Sequence, residues 1–375
     1  MDKRILYLGG FEMPDGNAAA QRVLAIAKAL PDNYGVKFLG LTHCDNYIGM
    51  VAGYEYTNLP YPLTKKEWFN HLAGIRELDY VKKEKPDVVI AYNYPALGLW
   101  RLVRYCKKSG IKLIADITEW YHPHNALKWL DTEWRMKILH KKLDGLIVIS
   151  SYLADYYAAN RIIEIPPTID LHAQLWEKED AESHDDSISL LYVGSPGRGD
   201  KDKLDTIINA IKPYPNLHLI IVGINEEQYR QLYNVSAAPG KIVFKGRLTH
   251  EAAVKELKKA DFSIFFRDPT RVNNAGFPTK YAEAAAAGVP VITNHFSDLP
   301  KIVVQGKNGF IADNTPESIR ETIREVASLN CDEIKAMKQY CREHNEMFDY
   351  KYYSQGLKNF FEDVFKQQLK VNEKN

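Results

Sequence analysis

The chain has 375 residues, 45% of them apolar and 26% charged, with 49 Lys and Arg against 48 Asp and Glu. This composition excludes a disordered chain, is enough for two cored domains, and gives no overall charge on which nucleic acid binding would rest. Cys44, Cys106, Cys331 and Cys341 lack CxxC or metal-type spacing, and no signal-type or membrane-spanning apolar run occurs, so a soluble, cytoplasmic protein with reduced thiols is expected. Peripheral contact with a membrane stays open.

Short β-branched runs alternate with helical patterns along the chain. RILYLGG reads as a first strand, followed by a loop and a helix AAAQRVLAIAKAL that stops at Pro31; VKFLGL is a second strand. Thr64 and Glu67 form a capping-box pair opening a helix that reaches about Lys83. Then come DVVIAY, a helix ALGLWRLVRYCKKSG closed by Gly110, KLIADI, a basic helix over residues 126–143, and GLIVIS. Strict alternation implies a parallel, doubly wound α/β sheet. IPPTIDLHAQLWEKEDAESHDDS reads as a hinge and acidic linker. A second alternating series follows in ISLLYVG, LHLIIVG, KIVFKG, DFSIFF and VPVIT, and after residue 315 the pattern is helical to about residue 370. Two such domains predict a cleft lined by the carboxyl ends of both sets of strands. A two-domain dehydrogenase, a binding protein and a nucleotide-sugar enzyme all fit that pattern.

The loop GGFEMPDGNAAAQRV does not fit GxGxxG, which argues against a dinucleotide site. It places Gly16 immediately before a helix whose N-cap is Asn17, where backbone N–H groups can approach an anion or a sugar; a plain strand-to-helix turn is the alternative. The matching loop of the second half, YVGSPGRGDKDKLDTIINAI, puts Arg198, Lys201 and Lys203 just beyond Pro196. Cations there can neutralise a departing diphosphate, or simply form an exposed basic loop. In NNAGFPTKYAEAAAAGVPVITN, Pro278 suits the first helical position and Gly288 the stop. Asn274, Ala275 and Gly276 then precede a helix N-terminus, an anion site, and Glu283 in its first two turns can accept paired hydrogen bonds from a ribose. The alternative is a surface glutamate on an alanine-rich helix.

Taken together, PTKYAEAAAAGVPVIT, VGSPGRGDKDKL, IPPTID and the NAAAQR loop resemble the retaining glycosyltransferases of family 4, in the branch that builds capsular and other surface polysaccharides. The resemblance covers nearly the whole chain. It implies the GT-B fold: a Rossmann-like acceptor domain over residues 1–170, a Rossmann-like nucleotide-sugar domain over 186–349, and a C-terminal helix over 350–370 that packs back on the first. It also implies roles by position. Glu283 grips the donor ribose, Arg198 and Lys201 hold the diphosphate, and Lys203 lies beside them. Backbone N–H groups of Thr279 and Lys280 face the phosphates, and Gly16 borders the transferred sugar. The family's second glutamate, eight residues before Glu283, is replaced by Ala275, which either leaves the sugar to Asn274 or to backbone N–H groups such as that of Gly276, or marks a different donor.

IADITEWYHPHN follows a first-half strand and offers Asp116, Glu119, His122 and His124. The resemblance places an acid or histidine of this loop near the reacting centre, with Glu119 and then His122 foremost. Two histidines with no third ligand make no metal site, so neither metal nor other cofactor is expected. The helix NALKWLDTEWRMKILHKK mixes tryptophans with lysines, as a solvated basic face or as a contact with an anionic membrane or lipid-linked acceptor. The resulting expectation is transfer of a sugar from a nucleotide diphosphate, uridine foremost, to a glycan or lipid-linked acceptor. A nucleotide-sugar 2-epimerase and a non-catalytic binding homologue are the rivals.

Overall fold

The computed structural model describes residues 3–14, 17–44, 47–177, 187–194, 196, 202–235 and 242–372, with side chains as far as residue 366. The chain divides into two units. The first comprises Met1–Thr168, Ala275–Phe277 and Tyr350–Asn375, the second Ile169–Asn274 and Pro278–Asp349.

In the first unit β1 (Lys3–Gly9), β2 (Tyr34–Thr42), β3 (Ile48–Val51), β4 (Tyr54–Pro60), β5 (Val88–Tyr92), β6 (Lys112–Ile117), β7 (Gly145–Val148) and β8 (Ile162–Glu164) form one sheet. Its order is β3-β4-β2-β1-β5-β6-β7-β8, and only β3 runs antiparallel to its neighbour. The helices are α1 (Ala18–Ala29), α2 (Lys65–Leu72), α3 (Ile75–Glu84), α4 (Ala96–Ser109), α5 (Ala126–Trp134) and α6 (Ser151–Tyr156). Central strands such as VVIAY and GLIV are apolar on both faces because helices cover both. Val23 and Ile26 of α1 pack on one face, Leu78 of α3 and Leu99 of α4 on the other.

This unit differs from the sequence expectation in its short edge strands and in one helix. The β3–β4 hairpin was not anticipated: β3 is a four-residue edge strand with exposed Ile48 and Met50, too short to show a period. The helix expected from Thr64 to Lys83 is broken. Its capping box forms, but the chain turns at Gly74, whose φ of 58° is left-handed. A Cβ there would lie 2.5 Å from the Tyr94 hydroxyl and 3.1 Å from Cα of Gly98, so two glycines let α2 and α4 close up.

The second unit is a parallel sheet of β9 (Ile188–Val193), β10 (Leu217–Val222), β11 (Ile242–Gly246), β12 (Phe262–Ile264), β13 (Val291–Asn294) and β14 (Gly309–Ala312), in the order β11-β10-β9-β12-β13-β14. Around it lie α7 (Leu204–Ile211), α8 (Glu226–Tyr233), α9 (His250–Lys259), α10 (Arg271–Ala275), α11 (Thr279–Ala287), α12 (Leu299–Ile302), α13 (Pro316–Ala327) and α14 (Cys331–Glu343). The last helix, α15 (Ser354–Asn372), belongs to the first unit, where Leu357, Phe361 and Val364 enter the core beside α1. In each sheet the winding reverses once, between β1 and β5 and between β9 and β12. Open parallel sheets bind ligands outside the strand carboxyl ends at such points.

Candidate active site

The reversal between β9 and β12 gathers charge. β9 ends at Tyr192 and Val193 and passes into Gly194; β12 leads through Phe265 and Phe266 to Arg267. Asp202, 1% exposed, stands between them. Its carboxylate accepts from the Tyr192 hydroxyl at 2.9 Å, from Arg267 Nε at 2.6 Å, and from the Lys280 ammonium. Burial pushes the Asp202 carboxyl up, but Lys280 and Arg267 together outweigh it and hold the group below its ordinary value. Lys280 also lies 4.2 Å from the centre of the Tyr192 ring, and a Cβ on Gly194 would come within 3.1 Å of its Nζ. Arg267 is fixed through its backbone: its N–H donates to Asn294 Oδ1 at 2.8 Å and its carbonyl accepts from Nδ2 at 2.7 Å. Two cations share one buried anion, so the cluster keeps a positive charge at the strand ends.

Neither Asp202 nor Arg267 was singled out from sequence, and Lys280 was assigned only a backbone role. Asp202 sits inside Lys-Asp-Lys, which reads as a solvated run, and nothing local marks it as buried. Arg198 and Lys201 lie outside the described residues. Lys203 pairs with Asp268 at 2.6 Å and caps α7 in a left-handed conformation, φ 51°.

α11 begins at Thr279, so Pro278 is its N-cap rather than its first residue; Gly288 closes it at φ 69°. Glu283 lies one turn in from Thr279, with His250 Nε2 of α9 3.4 Å from its carboxylate. Buried Ala282 and Ala284 let the helix approach the sheet. The segment NNA, expected as loop, is the end of α10. Asn274 is committed on both sides: its Oδ1 accepts from Ser297 N at 3.0 Å and its Nδ2 donates to Pro269 O at 3.2 Å. Ala275 is fully buried, its carbonyl accepting from Ser150 Oγ at 2.8 Å within the first unit; Gly276 is half-buried. These bonds use one N–H and one oxygen lone pair of the Asn274 amide, which narrows without removing its capacity to bind a sugar hydroxyl.

In the first unit the reversal lies between β1 and β5. Asn17 caps α1, accepting from Ala20 N at 2.9 Å, whereas Gly16 lies outside the described residues. Asn93, just past β5 with φ 42°, joins two loops: its Nδ2 donates to Thr118 Oγ1 at 2.6 Å and to Glu119 Oε1 at 3.4 Å. Arg135, buried in a wide helical turn after α5, donates to the Asn93 carbonyl at 2.8 Å. Glu119 is thus half-buried and oriented, while His122 and His124 are exposed. Asp116 serves the core instead. It accepts Arg22 at 2.8 Å and the Tyr7 hydroxyl at 2.5 Å, and Arg22 reaches on to the Ile165 carbonyl.

Two doubly wound parallel sheets, the second with a cationic cluster at its reversal, are the architecture of a GT-B glycosyltransferase. Residues 19–173 match the model for Glycosyltransferase Family 4 and residues 187–328 the model for Glycosyl transferases group 1, so the chain is family-4-like across both units. Over 231 residues it is 27% identical to an uncharacterised glycosyltransferase of Methanocaldococcus jannaschii, covering 59% of this chain and 60% of that one. The match therefore spans about three fifths of that relative's length. Among solved structures, sucrose-phosphate synthase of Thermosynechococcus elongatus superposes with a TM-score of 0.72 at 17% identity, covering 97% of this chain and 100% of the other. HepE of Anabaena in complex with UDP gives 0.69 at 14% identity, covering 96% and 99%. At these identities the likeness concerns the fold.

Proposed function

We propose that the chain is a retaining glycosyltransferase that moves a sugar from a UDP-sugar to a glycan or lipid-linked acceptor in surface polysaccharide assembly, without a metal or other cofactor. The observation that carries the reading is the Lys280–Asp202–Arg267 cluster at the β9–β12 reversal, with Glu283 one turn along α11. In this reading the diphosphate lies against Lys280, Arg267 and the N–H groups of Thr279 and Lys280, and Glu283 accepts the ribose hydroxyls. Arg198 and Lys201, carried by the stretch between Gly194 and Asp202, add charge. HepE, which is known in complexes with UDP and with UDP-glucose, supports uridine as the base.

As the bond between the donor's anomeric carbon and the diphosphate oxygen breaks, its electron pair passes to that oxygen. The acceptor oxygen attacks from the same face and gives its proton to the departing phosphate. Catalysis is then electrostatic stabilisation of the leaving group plus positioning. Glu119 and His122 are assigned to the acceptor side. Incubation with UDP- and GDP-sugars, with and without membrane glycolipid extracts, tests this. Acceptor-dependent UDP release, with the anomeric configuration retained by NMR, supports it. An isomerised donor would mean epimerisation, and binding without turnover would mean a non-catalytic homologue.

A further inference from the structure

The Glu283 carboxylate does not stand alone on α11. Its side chain is 25% exposed, and His250 Nε2 lies 3.4 Å from its Oε1. Among the described residues no other group comes within hydrogen-bond or ion-pair distance of that carboxylate. His250 is the first residue of α9 and follows the Thr249 cap, whose Oγ1 accepts from the Ala252 N–H at 3.3 Å. The early turns of two helices thus meet through one imidazole and one carboxylate. The imidazole also meets Trp176, with ring centres 6.4 Å apart and 65° between the planes. A short turn, Gln174–Trp176, carries the indole. It is fixed by the Trp176 N–H donating to the Ala173 carbonyl at 2.9 Å and the Ala173 N–H to that of Asp170 at 3.0 Å. All of these residues belong to the second unit.

Stability accounts for little of this arrangement, because a pair this exposed contributes little to folding. Its chemical effect is larger. A glutamate on a helix has several rotamers of similar energy, and closing on a diol must select one and lose the rest. A ring nitrogen beside a carboxylate oxygen carries its hydrogen toward it, since otherwise lone pairs would face each other. The imidazole turns about only two torsions, and Trp176 bounds its sweep on one side. A stiff group therefore directs a flexible one. It engages Oε1 from one side and leaves Oε2 and the remaining lone pair of Oε1 for two donors, which is what a vicinal diol requires.

We propose that His250, backed by Trp176, is the positioning residue of the ribose site: it sets the Glu283 carboxylate for both ribose hydroxyls before a nucleotide arrives. The inference rests on the proposed seating of the ribose at Glu283 and names the residue that prepares it. Ordering one such side chain in advance is worth about two- to twelvefold in affinity. The effect belongs to the ribose alone. Neither His250 nor Trp176 touches the Lys280–Asp202–Arg267 cluster among the contacts of the described residues, so the contribution of the diphosphate stays as it is.

Calorimetric titration of the full chain with UDP, 2′-deoxy-UDP and uridine tests it, on the wild type, H250F and H250Q. Phenylalanine keeps a ring against Trp176 but has no N–H, whereas glutamine carries an amide N–H at the reach of Nε2. H250F should bind UDP about fivefold more weakly and lose most of the preference for UDP over 2′-deoxy-UDP, with the ratio of UDP to uridine affinity unchanged. H250Q should restore UDP affinity to within about twofold of the wild type. In an E283Q background, H250F should cost nothing further. Equal thermal midpoints of the free proteins separate these effects from misfolding. A wild-type ribose preference in H250F, an H250Q as weak as H250F, or a loss that persists beside E283Q would overturn the proposal and leave the donor reading intact. A wild type that binds neither UDP nor GDP would sink the donor reading, and this inference with it.

Discussion

Asp202 is a buried carboxylate with three donors, and its charge is stable there only while Lys280 and Arg267 remain beside it. Its folded pKa lies below the unfolded value, so the cluster stabilises fully above about pH 4 and loses that contribution as pH falls further. Asp202→Asn should cost about 3 kcal/mol at neutral pH and flatten the acid limb, as measured by urea unfolding from pH 6 to pH 3. Glu283 has a different test. If it accepts both ribose hydroxyls, Glu283→Gln should weaken UDP about tenfold and abolish the preference for UDP over 2′-deoxy-UDP in calorimetric titrations. Glu283 drew notice in the sequence because a lone carboxylate among alanines stands out, and its hold on the ribose is the proposal that this titration tests. Asp202 was not, because a charge between two lysines looks solvated until the sheet brings Tyr192 and Arg267 to it.

At the scale of elements, close approach decides where helices end. Gly74 breaks what reads as one helix, because α2 must turn to lie against Gly98 of α4. Gly74→Ala would force a Cβ into the Tyr94 hydroxyl at a left-handed φ, and should lower stability by about 1–3 kcal/mol in thermal unfolding. Long elements with clear periods and caps were legible, α1 with Asn17 and α13 with Thr315 among them. β3, β8 and β14 were not: at three or four residues each they are too short for a period and are defined only by their pairing. The break at Gly74 was hidden for a similar reason, since the glycine's partner lies twenty-four positions along the chain.

At the scale of the whole molecule, each unit closes its own core, and α15 belongs to the first although it is last in sequence. Phe361→Ala should therefore cost about 3–5 kcal/mol in the first unit while leaving UDP able to raise the melting point of the second. Scanning calorimetry with and without UDP separates the two effects. The near-zero net charge excluded a basic protein overall but concealed an uneven spread, with seven Lys and Arg against three Asp and Glu on α2, α4 and α5. The central claim remains that Lys280 and Arg267, set by Asp202, seat a donor diphosphate. Titrating UDP and uridine into the wild type and Lys280→Met tests it most directly. The account predicts that the wild type prefers UDP by about a hundredfold or more, and that in the variant this ratio falls at least tenfold with uridine affinity unchanged. An unchanged ratio in Lys280→Met would contradict it.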